Sequence, residues 1–187
     1  MALNGTSSAG KTTIATAFRD RRAAVGDFWL LIGIDDVLSK LPAEWLDLGL
    51  PSGRGEHAAD GLWFEATPAG PALRIGRLCR QLLHIYRSTV AAAAHAGLDV
   101  IVDDVVIDAQ IWHDWHDALT GLDVVWVGVH CDLDVVEARE RSRGDRPPGM
   151  ARAQFATVHA AADYDLSFDT TSSNPEQAVD ELVRLLT

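Results

Sequence analysis

Gly5-Thr6-Ser7-Ser8-Ala9-Gly10-Lys11-Thr12 has the form G-x-x-x-x-G-K-[ST], a complete phosphate-binding loop. The chemistry requires this spacing. The glycines let the backbone wrap a phosphate so that successive N–H groups point inward, and the helix that follows adds its positive N-terminal end. Lys11 is expected to reach the β- and γ-phosphates, and the Thr12 hydroxyl to hold Mg²⁺. The chain has two lysines, Lys11 and Lys40, and one of them stands where the motif needs it. The plain alternative is a Gly/Ser turn ahead of an ordinary helix, and that coincidence argues against it. The motif predicts a nucleoside-triphosphate site that uses Gly5, Thr6, Ser7, Ser8, Ala9, Gly10, Lys11 and Thr12.

The bulk composition narrows the remaining classes. A chain of 187 residues with 48% hydrophobic content suits one domain with a real core. A net charge of −11 argues against a nucleic-acid or anionic-membrane binder, since such surfaces need excess Lys and Arg. Cys79 and Cys131 lie in apolar surroundings without metal-like spacing, which predicts reduced, buried thiols and a cytoplasmic location. No apolar stretch is long enough to span a membrane, and with the phosphate loop so near Met1 no signal peptide is expected.

Only Met1-Ala2-Leu3-Asn4 precedes the loop, so the first strand is short or the natural start lies upstream. Ile14, Ala17 and Phe18 recur at helical spacing and predict a helix to about residue 24. Trp29-Leu30-Leu31-Ile32-Gly33-Ile34 reads as a fully buried parallel strand ending in Asp35-Asp36. From about 43 to 72, prolines and large apolar residues, including Trp45, Leu62, Trp63 and Phe64, predict an irregular insertion or hairpin on the substrate side. A long helix is expected over 72–96, with Leu73, Leu82, Leu83, Ile85, Tyr86 and Val90 on its buried side. Strands at 98–106, 123–130 and 166–169 alternate with helices near 108–119, from 132, over 150–162 and from about 175. This order gives an open parallel α/β sheet, whose ligands sit beyond the carboxyl ends of its strands.

Three groups carry candidate chemistry. Val100-Ile101-Val102-Asp103-Asp104 is a hydrophobic strand ending in carboxylates, where one normally meets magnesium or its waters. Asp103 is the expected metal-shell residue opposite Thr12, and Asp104 its competitor. Asp35 and Asp36 either cap the next helix or orient an acceptor hydroxyl. An Asp with pKa about 4 is a feeble base, yet orientation and late proton acceptance suffice in a loose phosphoryl-transfer transition state. Arg139, Arg141, Arg143 and Arg146 fall within eight residues of an acidic chain. The plain reading is a solvated helix end, with Glu137 and Glu140 as partners. The functional reading is a lid, at about 139–150, that closes over phosphates. Arg139 then serves the nucleotide, and Arg143 and Arg146 neutralise the transferring group. The histidines show no zinc spacing. Trp29 and Trp126 read as core, whereas Trp45, Trp63 and Phe64 are candidates for an aromatic acceptor pocket.

With these motifs placed, the chain resembles the chloramphenicol phosphotransferase-like family. The matching stretches are Leu3 to Thr12, Gly33-Ile34-Asp35, Ile101-Val102-Asp103-Asp104-Val105 and Val125-Trp126-Val127-Gly128-Val129-His130-Cys131-Asp132. They continue through Arg143-Gly144-Asp145-Arg146, Gly149-Met150-Ala151, Val158-His159, Tyr164-Asp165 and Asp169-Thr170, leaving out only about 43–72. The resemblance implies a P-loop kinase fold, with a five-stranded parallel sheet and an arginine lid. It implies transfer of the γ-phosphate of ATP to the primary hydroxyl of chloramphenicol, with the aspartate matching Asp35 as catalytic base.

The expected activity is therefore a magnesium-requiring, ATP-dependent O-phosphotransferase acting on a small hydroxylated molecule, aromatic or lipophilic. Two alternatives stand beside it: a metabolite kinase of shikimate or gluconate type, and a nucleotide switch. Against the switch, neither lysine follows Asn, so no guanine-reading Asn-Lys-x-Asp motif exists.

Overall fold

In the computed structural model, which describes residues 1–48, 55–68, 70–143 and 148–186, Ala2–Asn4 forms strand β1 at the centre of a five-stranded sheet. Three residues suffice because both edges are paired. Leu3 stands opposite Asp103 on one side and Val127 on the other. The loop then feeds α1 (Lys11–Ala23), which buries Ile14, Ala15 and Phe18. The Phe18 ring meets Trp29 edge-on, with centroids 5.0 Å apart. Burying such a side chain is worth about 2–3 kcal/mol. Strand β2 (Trp29–Gly33) ends one residue before the apolar run does, because Ile34 already opens α2 (Ile34–Leu38).

The segment expected to be an irregular insertion or hairpin is, where described, a small sheet built on an antiparallel hairpin. Strand β3 (Leu46–Asp47) pairs parallel with β4 (Leu62–Thr67), which pairs antiparallel with β5 (Gly70–Ile75). The long helix expected from residue 72 therefore starts later, as α3 (Arg77–His95). Leu73 and Ile75 sit opposite Phe64 and Leu62, an alternation of period two that also fits a helical phase over so short a stretch. Gly76, extended, separates the two elements. Cys79, Leu83, Tyr86 and Val90 set the buried face of α3, which leaves Ile85, expected inside, 60% exposed.

Strand β6 (Asp99–Asp104), α4 (Ala109–Ala118), β7 (Trp126–His130) and α5 (Leu133–Arg143) follow. Asp108 caps α4 by accepting the Ile111 N–H at 2.8 Å. Helix α6 (Met150–Phe155) ends well before residue 162 and gives way to turns. Strand β8 (Leu166–Asp169) and α7 (Pro175–Leu185), capped by Asn174, complete the chain. The main sheet has the order β2-β6-β1-β7-β8 and is parallel throughout. Two cores flank it. One gathers Leu83, Val90, Val102 and Trp115, and the other Leu3, Phe18, Val127 and Leu182. Both cysteines are free thiols and buried. Among the described residues no helix is long and apolar enough to cross a membrane.

Candidate active site

The carboxyl ends of β1, β2 and β6 converge on one cavity of about 410 Å³. The phosphate loop forms its floor. A Cβ on Gly5 would stand 2.3 Å from the Val129 carbonyl oxygen, so only glycine lets the chain leave β1 there. Gly10, at φ +98°, caps α1 in a left-handed conformation that favours glycine. Ser8 takes φ 64° without that freedom, which helps turn the loop N–H groups toward a common centre. The loop is pinned from outside as well. Thr170 Oγ1 donates to the Ala9 carbonyl at 2.6 Å, and Gln154 Oε1 accepts the Ser7 N–H at 2.7 Å.

Lys11 is 6% exposed; its Nζ donates to the Thr6 carbonyl at 2.9 Å and stands 3.9 Å from Asp103 Oδ1. Thr12 Oγ1 donates to Asp103 Oδ2 at 2.5 Å. Asp104 faces a different environment. Its two oxygens accept Trp115 Nε1–H at 2.5 Å and the Val105 N–H at 2.6 Å. Burial raises its pKa, and the Asp103 charge adds to that. The two adjacent carboxylates thus divide their work: Asp103 meets the loop, and Asp104 anchors α4 to the sheet.

Asp35 and Asp36 divide similarly. Asp36 accepts the Gly33 N–H at 2.9 Å, closing the first turn of α2. Asp35 lines the cavity with Ile34 and Leu38. On α5, Arg139 and Arg143 lie one turn apart and both line the cavity, whereas Arg141 is exposed on another face. Arg139 Nη2 donates to the Thr170 carbonyl at 2.7 Å, which holds it beside the loop. Among the described residues neither glutamate pairs with an arginine of this cluster. Glu140 is buried and accepts the N–H groups of Gly149 and Ala151, each at 2.7 Å, fixing the start of α6; Glu137 pairs with Arg152. Arg146 lies outside the described residues, with Gly144, Asp145 and Pro147.

Beyond the polar part, the cavity wall is aliphatic: Leu62, Leu73, Ile75, Leu83, Ile111 and Met150. The aromatic pocket expected from Trp45, Trp63 and Phe64 does not form, since none of the three lines the cavity. For Trp63 the pleat of β4 is the reason. Leu62 shares its face with Ile75, while Trp63 turns the other way, paired with Arg74. Trp45 lies tilted against the His57 ring, and Phe64 packs against the core. Trp29 and Trp126 are core residues, as expected. Among the described residues no three His, Cys, Asp or Glu side chains gather as a metal cage. Cys79 also lines the cavity, but burial pushes its thiol up to about 11, so it stays protonated.

Sequence reasoning missed several polar residues of this cavity, Gln154 and Arg87 among them. Arg87 had a signal, because it falls four residues after Leu83 on the buried face of α3. Gln154 had none, because its bond to Ser7 spans 147 residues.

Several known proteins are similar to this chain. A protein of Mycobacterium tuberculosis (strain ATCC 25618 / H37Rv), provisionally designated an O-phosphotransferase, is 38% identical over 188 residues, covering 96% of this chain and 78% of its own length. Its counterpart in strain CDC 1551 / Oshkosh matches to the same extent. Among solved structures, the Mycobacterium tuberculosis APS kinase in complex with AMPPNP and APS superposes with a TM-score of 0.66 at 15% identity, covering 98% of this chain and 94% of that one. A gluconokinase from Sinorhizobium meliloti 1021 gives 0.57 at 14%, with 98% and 91% covered. Shikimate kinase from Acinetobacter baumannii in complex with shikimate gives 0.56 at 10%, with 99% and 90% covered. At such identities the likeness is one of fold, that of the P-loop kinases. Residues 1–186 match the chloramphenicol phosphotransferase-like protein family, and the chain belongs to that family.

Proposed function

We propose that this protein is an ATP-dependent O-phosphotransferase that places the γ-phosphoryl group on a hydroxyl of a small, lipophilic molecule, with chloramphenicol and related antibiotics as first candidates. One observation carries the reading: a phosphate loop, a helix-start aspartate and an aliphatic chamber share a single cavity. Phosphoryl transfer asks for positioning and charge stabilisation more than for covalent chemistry, and this cavity offers both. The loop N–H groups and Lys11 bind the β- and γ-phosphates. Asp35 orients the acceptor hydroxyl and takes its proton as the new O–P bond forms and the bond to the ADP oxygen breaks. Arg143 and Arg146 compensate charge on the transferring group. The convergence of Thr12 and Asp103 fits a magnesium ion bound mainly through water and phosphate oxygens. Bound there, the ion would supply charge neutralisation between β- and γ-phosphates. The test is ATP turnover that depends on an added hydroxyl compound, screened across hydroxylated antibiotics and metabolites by product mass. Hydrolysis indifferent to every acceptor would favour a nucleotide switch, and turnover confined to anionic sugars or acids a metabolite kinase.

Arg143→Ala is expected to lower kcat by about tenfold to a hundredfold with little change in ATP affinity, because the charge it meets develops in the transition state. Arg141→Ala, at another helical phase, is expected to be nearly silent. Equal losses in both would indicate general electrostatics rather than a lid. The acceptor wall gives a second expectation. Ile75→Ala should raise the acceptor KM by about tenfold, whereas Trp63→Ala should lower the melting temperature and leave acceptor KM near wild type. The reverse pattern would return the acceptor to the outer face of the hairpin.

A further inference from the structure

Resting on the small-molecule kinase reading above, we infer that Arg87 is a specificity-determining residue of the acceptor chamber. It selects a lipophilic alcohol bearing an uncharged hydrogen-bond acceptor, such as a carbonyl or amide, over one bearing a carboxylate. Cys79, Leu83 and Arg87 follow at four-residue spacing along α3, and all three line the cavity. Arg87 is only 5% exposed. Its Nη2 donates to Asp114 Oδ2 at 2.8 Å, and Gln110 Nε2 holds the other oxygen of Asp114 at 2.8 Å. Among the described residues no acceptor stands on Nε or Nη1, and neither is a sealed, unpartnered atom. Those donors therefore open on space beside the side chain. Arg87 borders two such spaces: an outer groove between α3 and α4, which holds Asp114 and Gln110, and the chamber. With Nη2 tied on the groove side, Nη1 is the donor left for the chamber.

Charge decides which ligand suits that donor. Asp114 already compensates the Arg87 charge, while Asp35, Asp103 and Asp104 line the same cavity. An entering carboxylate would lose its hydration and meet a guanidinium already paired, so its desolvation is not offset. A carbonyl or amide oxygen costs far less to desolvate and fills donors that a plain hydrocarbon would leave unpartnered.

Three primary alcohols on one phenylpropyl frame, with hydrogen, carboxamide or carboxylate at the para position, test this by calorimetry in the presence of AMPPNP and magnesium. The carboxamide is expected to bind about tenfold more tightly than the plain alcohol, and the carboxylate most weakly. Arg87→Met should collapse the carboxamide-to-plain ratio to about one. Asp114→Asn, which frees the Arg87 charge, should move the carboxylate ahead of the carboxamide; it also carries the test should Arg87→Met not fold. A wild type that ranks the plain alcohol or the carboxylate first overturns the inference, as does binding of none of them. So does a folded Arg87→Met variant that keeps the preference. Turnover is read separately: the expected ranking without phosphoryl transfer counts against the kinase reading and supports the role of Arg87.

Discussion

Lys11→Ala is expected to lower phosphoryl transfer by a factor on the order of 10³ or more while leaving the fold assembled. Its ammonium is the one lysine charge in the cavity, and it meets the Thr6 carbonyl and Asp103. Removing it deletes no part of either hydrophobic core. The loop N–H groups remain, so nucleotide affinity should fall less than turnover, a separation that titration with a non-hydrolysable analogue would measure. A second readout follows from the buried carboxylates. Lys11 is one of the groups that hold down the proton affinity of Asp104, which burial raises. A carboxyl whose folded-state pKa exceeds its unfolded value adds stability in acid and loses it as pH rises through the folded value. The melting difference between variant and wild type should therefore be wider near neutral pH than in mild acid. Wild-type turnover in Lys11→Ala would remove the phosphate-loop assignment, whatever the melting curves show.

What was legible in the sequence was what depends on neighbours along the chain. The loop, the strand ends at Asp35 and Asp103, and the helical phase that separates Arg143 from Arg141 are set by local spacing, and the structure brings Lys11, Thr12, Asp35, Asp103, Arg139 and Arg143 to one cavity. The acceptor side was not legible in the same way. Leu73 and Ile75 fit a strand or a helix equally well by pattern. Only their pairing with Phe64 and Leu62 decides it, and that pairing also decides which face of the hairpin meets the cavity. Trp63 attracted attention by size, yet its strand parity sends it outward. The chamber wall draws on β4, β5, α3, α4 and the start of α6, so no single window of sequence contains it. The same holds for adjacent acidic pairs. Asp103 and Asp104 are equivalent by pattern, and only the distant Thr12 and Trp115 tell them apart.

Asp35→Asn is expected to preserve ATP binding and lower kcat by about 10² or more, the scale of a lost general base. The amide is nearly isosteric and can still accept a hydrogen bond, but it cannot take the acceptor proton as the O–P bond forms. The first turn of α2 makes the neighbouring residue an internal control. Asp36 accepts the Gly33 N–H within the helix start, and Asn at that position retains an oxygen for the same bond. Asp36→Asn should therefore change neither kcat nor melting temperature appreciably, and Asp36→Ala should cost about 1 kcal/mol of stability as a lost cap. Pre-steady-state measurement with a saturating alcohol acceptor would separate the chemical step from product release. A slow chemical step in Asp35→Asn, with nucleotide binding intact, supports the base assignment. If Asp36→Asn proves the more damaging change, the acceptor hydroxyl is oriented one residue later, and α2 must open its first turn to present it.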